Sequence, residues 1–269
     1  MAQPATRISP MQPVFGTNWK MRNVNQREAQ RYLLTLADGL GRLSADGLFV
    51  FVLPPATLLP VMAEVAKGTS ILLGAQNFYW EREGEFTGEL STDLLKDAGA
   101  TVLMVGHAER RVLFNENDEV INRKLRRALQ EGFHAVLCIG EADRSTPESH
   151  LREELSAQLE NALRGIHKAD LDRLIVAYEP HWAIGRRFEA AVPVDRVGQS
   201  VEAIRAALKA IVVNEDSVPV IYGGNVNLTN CREIASVAGI DGLFVGVVAA
   251  DPNGFASIIG RALDGRTSR

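Results

Sequence analysis

Short apolar runs alternate with longer segments of helical period from residue 14 onward. The runs are rich in Val, Ile and Leu, which is typical of strands that are buried on both faces of a parallel sheet. Eight strands are predicted, at residues 14–18, 48–53, 71–75, 102–105, 134–139, 174–178, 218–222 and 243–245. Helices are predicted at residues 26–40, 120–130, 148–163 and 197–212, where Leu, Ala, Glu and Arg recur at helical spacing.

The alternation of strands and helices predicts an α/β fold, a (β/α)8 barrel that forms one domain over residues 14–269. An open, doubly wound sheet is the alternative. Its dinucleotide-binding form needs a G-x-G-x-x-G turn after an early strand, whereas residues 16–20 read GTNWK. The count of eight strands therefore favours the barrel. Residues 1–13 are predicted to form a loose N-terminal tail without the pattern of a signal peptide.

Composition narrows the class of partner. The chain has 269 residues, of which 46% are hydrophobic, and 29 Lys and Arg against 33 Asp and Glu give a net charge of −4. This balance provides no basic surface for nucleic acid, and no run is long enough to span a membrane, so a small-molecule substrate is expected. Only Cys138 and Cys231 occur. They form neither a disulfide framework nor a metal-binding spacing, which fits a reducing cytoplasm.

Candidate chemical groups follow the strands, where active sites of barrels form. They are Asn18 and Lys20 after the first strand, His107 and Glu109 after the fourth, Glu179 after the sixth, and the glycine turns at Gly223, Gly224 and Gly246 after the seventh and eighth. Together these residues offer an acid or base, a polarising group, a cation and a backbone cradle for an anion. Their shared location at one rim is what makes each of them a candidate.

Each group has a functional and a plain structural interpretation. Glu179 precedes Pro180 at the barrel mouth and is either a general base or a solvated loop carboxylate. His107 lies where a helical turn begins, so it is either a neutral hydrogen-bond donor or a cap of that turn. Lys20 could hold a negative charge or lie on the surface. The spacing of His107 and Glu109 resembles zinc deaminases, but the P-C-x-x-C partner is missing, which excludes them.

The glycine turns also allow two interpretations. Backbone N–H groups of Gly223, Gly224 and Gly246 stand after the last two strands, the region where barrels often bind phosphate. Glycine pairs are also common in ordinary turns. Phosphate binding is expected because these turns lie on the same rim as the candidate base.

Seven motifs in this order give the chain a resemblance to the triosephosphate isomerase family from about residue 15 to residue 263. They are GTNWKM at residues 16–21, GAQN at 74–77, TGE at 87–89, VGHAERR at 105–111, AYEPHWAIG at 177–185, YGG at 222–224 and DG at 241–242. The resemblance implies isomerisation between an aldose and a ketose phosphate without a cofactor or a metal. It also implies a homodimer.

The resemblance assigns roles to individual residues. It implies that Glu179 moves a proton between adjacent carbons, that His107 polarises the substrate oxygens, and that Asn18 and Lys20 bind the substrate and stabilise the enediolate. The resemblance also implies that Glu109 has a supporting role beside these catalytic residues. Four further residues are expected at the phosphate, namely Gly185, Asn225, Gly246 and Val247. The segment at residues 182–185 is expected to close as a lid, and the loop at residues 76–88 is expected to lock into a partner subunit, with Thr87 reaching toward the neighbouring site.

The chain departs from the family pattern at the lid and at the phosphate end. Arg186 to Glu189 replace the usual threonine and glycine of the lid, Asn225 replaces a serine and Val247 replaces a glycine. If position 247 required positive φ, valine would cost roughly 1–2 kcal/mol. Ala108 replaces a serine and His181 an aliphatic residue.

Two alternatives to a triose phosphate substrate follow from these departures. Trp80 and the altered segment at residues 247–252 are similar to the branch of the family that isomerises erythrulose phosphate. A tetrulose phosphate is therefore the alternative substrate. A non-catalytic barrel that binds phosphate is the more remote possibility, because the four residues to which the resemblance assigns chemical roles are all retained. They are Asn18, Lys20, His107 and Glu179.

Overall fold

A computed structural model describes residues 8–9, 12–43, 47–183, 192–211 and 218–266. Eight parallel strands form a closed barrel in chain order, and β1 pairs with both β2 and β8. The strands are β1 (Val14–Asn18), β2 (Phe49–Leu53), β3 (Ile71–Ala75), β4 (Val102–Val105), β5 (His134–Ile139), β6 (Leu174–Tyr178), β7 (Val220–Tyr222) and β8 (Gly242–Val245). The predicted barrel is confirmed, and β2, β7 and β8 begin one or two residues away from their predicted starts.

Helices follow the strands and form the outer layer. In the described part of the chain they are α1 (Gln26–Gly41), α2 (Leu59–Ala66), α3 (Thr92–Asp97), α4 (Ala108–Phe114), α5 (Asp118–Gln130), α6 (Glu148–Leu163), α7 (Val194–Ile211), α8 (Cys231–Ala235) and α9 (Pro252–Arg266). Short 3-10 turns cover Ala56–Leu58, Lys168–Arg173, His181–Ala183 and Val247–Ala250.

Capping residues explain where the helices begin. α1 begins after Asn25, whose side chain accepts a hydrogen bond from the backbone of Glu28 while the Glu28 carboxylate accepts one from Asn25. α5 was predicted from residue 120, yet it begins at Asp118 because Asn117 caps it by accepting from the Val120 N–H. α7 also begins earlier than its predicted start, and the predicted last residue, 212, lies outside the described residues.

Alternate strand residues fill two cores. One set points into the barrel, where the Phe51 ring packs against Phe244 with centroids 5.6 Å apart, and the other set packs under the helices. Gly16 makes room for this packing, since a Cβ there would lie 2.0 Å from the Phe51 ring. His134 also points inward and contacts Phe49 edge to face at 4.8 Å. The interior is therefore a packed core that supports the rim above it.

The N-terminal segment is only partly described. Ile8 is buried against the interior cluster, and the Ser9 N–H donates to the Gln12 side chain at 3.0 Å. Residues 1–7, 10 and 11 lie outside the described residues, so the predicted boundary between tail and barrel at residue 13 stays a prediction.

No described helix combines the length and the apolar character that a membrane-spanning helix requires.

Candidate active site

The carboxyl ends of the strands surround an open pocket of about 630 Å³. Every strand-end candidate with a reactive side chain lines it, namely Asn18, Lys20, His107, Glu109 and Glu179. The turns after β7 and β8 form the other wall with Gly223, Gly224, Asn225, Gly246 and Val247. The structure therefore brings together ten of the residues that the sequence placed at this rim.

Two glycines fix Glu179 at the floor of the pocket. Its N–H donates to the Ile139 carbonyl at 2.8 Å, which continues the pairing of β5 with β6. A Cβ at Gly140 would lie 1.9 Å from the Glu179 carbonyl oxygen, and a Cβ at Gly223 would lie 2.7 Å from Glu179 Cγ. Neither position admits a side chain without moving Glu179. The two glycines consequently make room for Glu179, and only 2% of the residue is exposed.

Burial makes the Glu179 carboxylate more basic. Desolvation raises its pKa above the usual range, while the neighbouring His107, Lys20 and the Cys138 thiol act in the opposite direction. The Glu179 Oε2 atom has no hydrogen-bond partner among the described residues. A buried carboxylate oxygen without a partner is free to accept a proton, which is what a general base at this position requires.

His107 presents a hydrogen-bond donor to the pocket. It caps α4, because its Nδ1 accepts the Glu109 N–H at 3.1 Å. With Nδ1 acting as an acceptor, the ring is neutral and its proton lies on Nε2, which is 3.7 Å from Glu179 Oε2. The sequence left capping and polarisation as alternatives. The structure shows the cap, which sets the tautomer, and polarisation of a substrate by His107 stays a prediction.

Lys20 has a left-handed backbone, with φ at 55°. For a residue other than glycine this conformation costs roughly 1–2 kcal/mol. Three contacts hold it. The Lys20 N–H donates to Asn18 Oδ1 at 2.9 Å, Gln76 Nε2 donates to the Lys20 carbonyl at 3.1 Å, and Lys20 Nζ pairs with Glu109 at 2.5 Å. The strain therefore places the ammonium group beside the pocket.

Asn18 is almost fully buried at the end of β1. Its Oδ1 accepts from the Lys20 backbone, and its Nδ2 points toward the sulfur of Met104 at 3.8 Å. The side chain thus anchors the turn that carries Lys20 and also lines the pocket.

The turns after β7 and β8, where phosphate binding is expected, line the pocket. Gly246 precedes the 3-10 turn Val247–Ala250, and the Val247 side chain is 87% exposed. Among the described residues other than glycine, positive φ occurs at Lys20 and Asn115, so Val247 does not carry the strain considered for it. Val247 lines the pocket, and its N–H lies at the start of the turn. Tyr32 supports this turn by donating its hydroxyl to the Ala249 carbonyl at 2.6 Å.

Two predicted residues stand apart from this site. Gly185 and the lid segment from Arg186 to Glu189 lie outside the described residues. Thr87 is exposed in the loop of residues 76–88 and does not line the pocket of its own chain.

Several residues that shape the site were not singled out from the sequence. Cys138 is an inward position of β5 and Gly140 directly follows that strand, both beside Glu179, and continuing the alternation of β5 would have identified both. Gln76 holds two turns by donating to the carbonyls of Lys20 and Leu53. These contacts join residues that are distant in sequence.

The entrance to the lid segment is fixed by a buried carboxylate. Glu141 accepts hydrogen bonds from Trp182 Nε1 at 3.0 Å and from the Tyr178 hydroxyl at 3.1 Å. Burial raises the pKa of Glu141. Burial also lowers the pKa of His181 to about 4, so this histidine is neutral near pH 7.

Comparisons with known proteins agree with this geometry. Triosephosphate isomerases of Synechococcus sp. (strain JA-2-3B'a(2-13)) and Rubrobacter xylanophilus are 38% and 36% identical, over 93% and 92% of this chain and 97% and 96% of theirs. The crystal structure of triosephosphate isomerase from Bartonella henselae superimposes with a TM-score of 0.81 at 28% identity, covering 93% of this chain and 98% of that one. The sequence model of the family described as triosephosphate isomerase matches residues 13–262, and the chain belongs to the triosephosphate isomerase family.

Proposed function

We propose that the protein interconverts dihydroxyacetone phosphate and glyceraldehyde 3-phosphate, with Glu179 as the base. The supporting observation is the pair of Glu179 and His107 at the pocket floor. An unpartnered carboxylate oxygen lies 3.7 Å from a neutral imidazole donor, and Lys20 stands on the same wall. Relatives that are 38% and 36% identical carry the name of this isomerase.

The reaction starts with proton abstraction from C1 of dihydroxyacetone phosphate by Glu179 Oε2. The C–H electron pair forms a C1–C2 double bond, and the carbonyl oxygen at C2 takes up the negative charge. The proton that Glu179 holds then returns to C2, while the proton of the C1 hydroxyl is transferred to the oxygen at C2. One group serves both carbons because they are adjacent, and the raised pKa of Glu179 favours the abstraction.

His107 and Lys20 stabilise the enediolate. The Nε2–H of His107 donates to the substrate oxygens, and the ammonium of Lys20 supplies positive charge as the negative charge develops. Glu109 supports both, since its backbone fixes the imidazole and its carboxylate holds Lys20 at 2.5 Å. Asn18 holds the turn between them.

The phosphate binds to the turns after β7 and β8. The N–H groups at Gly246 and Val247 and the amide of Asn225 are the donors, and Gly185 of the lid completes them. Asn225 can donate through its side-chain amide, and Val247 keeps its backbone donor, so both departures from the family pattern preserve hydrogen bonding.

The relatives favour a triose phosphate over erythrulose phosphate, because those compared are named triosephosphate isomerases. Retention of the base and the donor disfavours a barrel that only binds phosphate. The test is a panel of kcat/KM values for dihydroxyacetone phosphate, glyceraldehyde 3-phosphate and the erythrulose phosphates. Triose phosphates should lead by at least a hundredfold, whereas a lead for an erythrulose phosphate would reverse the assignment. Glu160→Gln, an exposed carboxylate on α6, is the matched control for Glu179→Gln.

A homodimer in the cytoplasm is part of the proposal. The side chains of Met21, Val112, Leu113 and Phe114 are 96%, 69%, 69% and 62% exposed, although all are apolar. Such a surface is typical of an interface. Residues 81–89 are all exposed, and we expect this segment to carry Thr87 toward the neighbouring site. Both cysteines are buried free thiols, which suits a reducing compartment. Sedimentation should give twice the mass of one chain, and Phe114→Glu should shift it to the monomer.

A further inference from the structure

A second pocket, of about 400 Å³, lies directly beside the candidate active site. The loop after β1, one stripe of α1 and the start of α9 form its walls, and Trp19, Arg22 and Ala250 line both pockets. Pockets of about 300–1,000 Å³ are the usual size for small-molecule binding. This volume is therefore sufficient for an organic ligand, and the shared wall connects it to the substrate.

The second pocket carries two uncommitted cations. Arg22 in the loop and Arg31 on α1 both line it, and neither side chain forms an ion pair or a hydrogen bond with any residue that the structure describes. Other surface arginines do pair, such as Arg82 with Asp93. The carboxylate of Glu28 also lines the pocket, but it accepts from the Asn25 N–H at 3.2 Å as part of the helix cap. Two guanidinium groups are thus available to an anion.

Buried aromatic rings give the same pocket an apolar wall. Trp19 and Tyr32 pack edge to face with centroids 4.7 Å apart, and both are largely buried. The two guanidinium groups can bind the anionic part of a ligand, and the rings can pack against an apolar part. The combination of two arginines with an aromatic surface is suited to an anionic group that is attached to an organic body.

We propose that this pocket binds a phosphorylated small molecule through Arg22 and Arg31 and that its occupation weakens binding of the substrate. Arg22 is shared between the pockets, so an anion that engages it in one pocket withdraws positive charge from the other. Tyr32 adds a second connection, because its hydroxyl holds the turn Val247–Ala250 at the Ala249 carbonyl. Coupling between two sites is reciprocal, so the substrate weakens the second ligand equally. The predicted effect on substrate binding rests on the proposed function, whereas anion binding in the second pocket does not.

Calorimetric titration with pyrophosphate tests the pocket directly. The active site is first saturated with glycerol 3-phosphate, which carries the substrate's phosphate but has no carbonyl group. One pyrophosphate should still bind to each chain, and Arg31→Gln should weaken it at least tenfold. Arg27→Gln, an exposed arginine on the same helix that does not line the pocket, is the control and should leave binding unchanged. No binding beside glycerol 3-phosphate, or equal binding to Arg31→Gln, would overturn the proposal.

Isomerase kinetics test the coupling. Pyrophosphate should raise the KM for dihydroxyacetone phosphate about five- to tenfold more in the wild type than in Arg31→Gln, because only the wild type has the intact second pocket. An equal rise in KM for both proteins would mean that pyrophosphate acts only at the active site, which contradicts the coupling. If the protein had no isomerase activity, the calorimetric titration would still decide whether the second pocket binds an anion.

Discussion

The two halves of the barrel rim are built differently. After β1, β4 and β6 the functional groups are side chains, and each is fixed by other residues, as Lys20 is by Asn18, Gln76 and Glu109. After β7 and β8 the proposed phosphate donors are the N–H groups of Gly246 and Val247 together with the Asn225 side-chain amide, and the Val247 side chain is exposed. We therefore expect side-chain identity to matter throughout the first half, whereas position 247 should tolerate replacement as long as its N–H group stays in place.

The largest effect in the side-chain half is expected from Glu179→Gln. The amide keeps the shape of the carboxylate but accepts no proton, so kcat should fall by about 10²- to 10⁴-fold with little change in KM. Steady-state kinetics in both directions measure this. Activity close to that of wild type would remove Glu179 as the base, and Glu160→Gln should retain full activity.

His107→Ala is expected to have the next largest effect. Losing a donor that faces developing negative charge costs about 10²- to 10³-fold in kcat. Because Nδ1 of His107 also caps α4, a drop in thermal stability would show the capping part separately. If kcat were unchanged while stability fell, capping would be the only role of His107.

The backbone half is tested by two substitutions at one position. Val247 opens a 3-10 turn, where the fixed φ of proline is tolerated, so Val247→Pro removes only the N–H. Loss of one hydrogen bond to a charged phosphate, worth about 1.5–3 kcal/mol, should raise KM roughly 10- to 100-fold. Val247→Gly retains the N–H and should change KM less than about threefold. Equal effects of both substitutions would contradict a backbone cradle.

The pH dependence probes the base within the first half. Burial raises the pKa of Glu179, and the ionised form is the active one. kcat/KM should therefore fall about tenfold per pH unit as the pH drops below this raised pKa. Initial rates at low substrate concentration over a pH series measure it. A decline only near pH 4.5, the value of an ordinary glutamate, would show that burial does not tune this carboxylate.

The smallest expected effect is a gain in stability. The folded-state pKa of Glu179 lies above its unfolded value, so the stability that its protonated form contributes is lost as pH rises through the folded-state pKa. At pH 8 the buried charge thus opposes folding, and Glu179→Gln should raise Tm by about 2–4 °C. The gain should vanish at pH 4. A lower Tm at pH 8 would indicate that Lys20 and His107 outweigh burial.

The strands were predictable because each is buried on both faces and is therefore apolar almost without interruption. The start of α5 was missed because Asn117 caps it from outside the apolar period. In the site, motif residues identified Glu179, His107 and Lys20. The left-handed backbone of Lys20 and its link to Glu109, 89 residues away, depend on contacts that no local pattern encodes. Arg22 gave no signal either, since its proposed role depends on a pocket that α1 and α9 line.

Hydrogen exchange at carbon is the most direct test of Glu179 as the base. Dihydroxyacetone phosphate is incubated with the enzyme in D2O, and deuterium at C1 is followed by proton NMR. The wild-type protein should incorporate deuterium at C1 of the recovered substrate and at C2 of glyceraldehyde 3-phosphate, because the proton on Glu179 exchanges with solvent. Glu179→Gln should incorporate neither at a comparable rate. Undiminished exchange and isomerisation in Glu179→Gln would contradict proton transfer by this carboxylate.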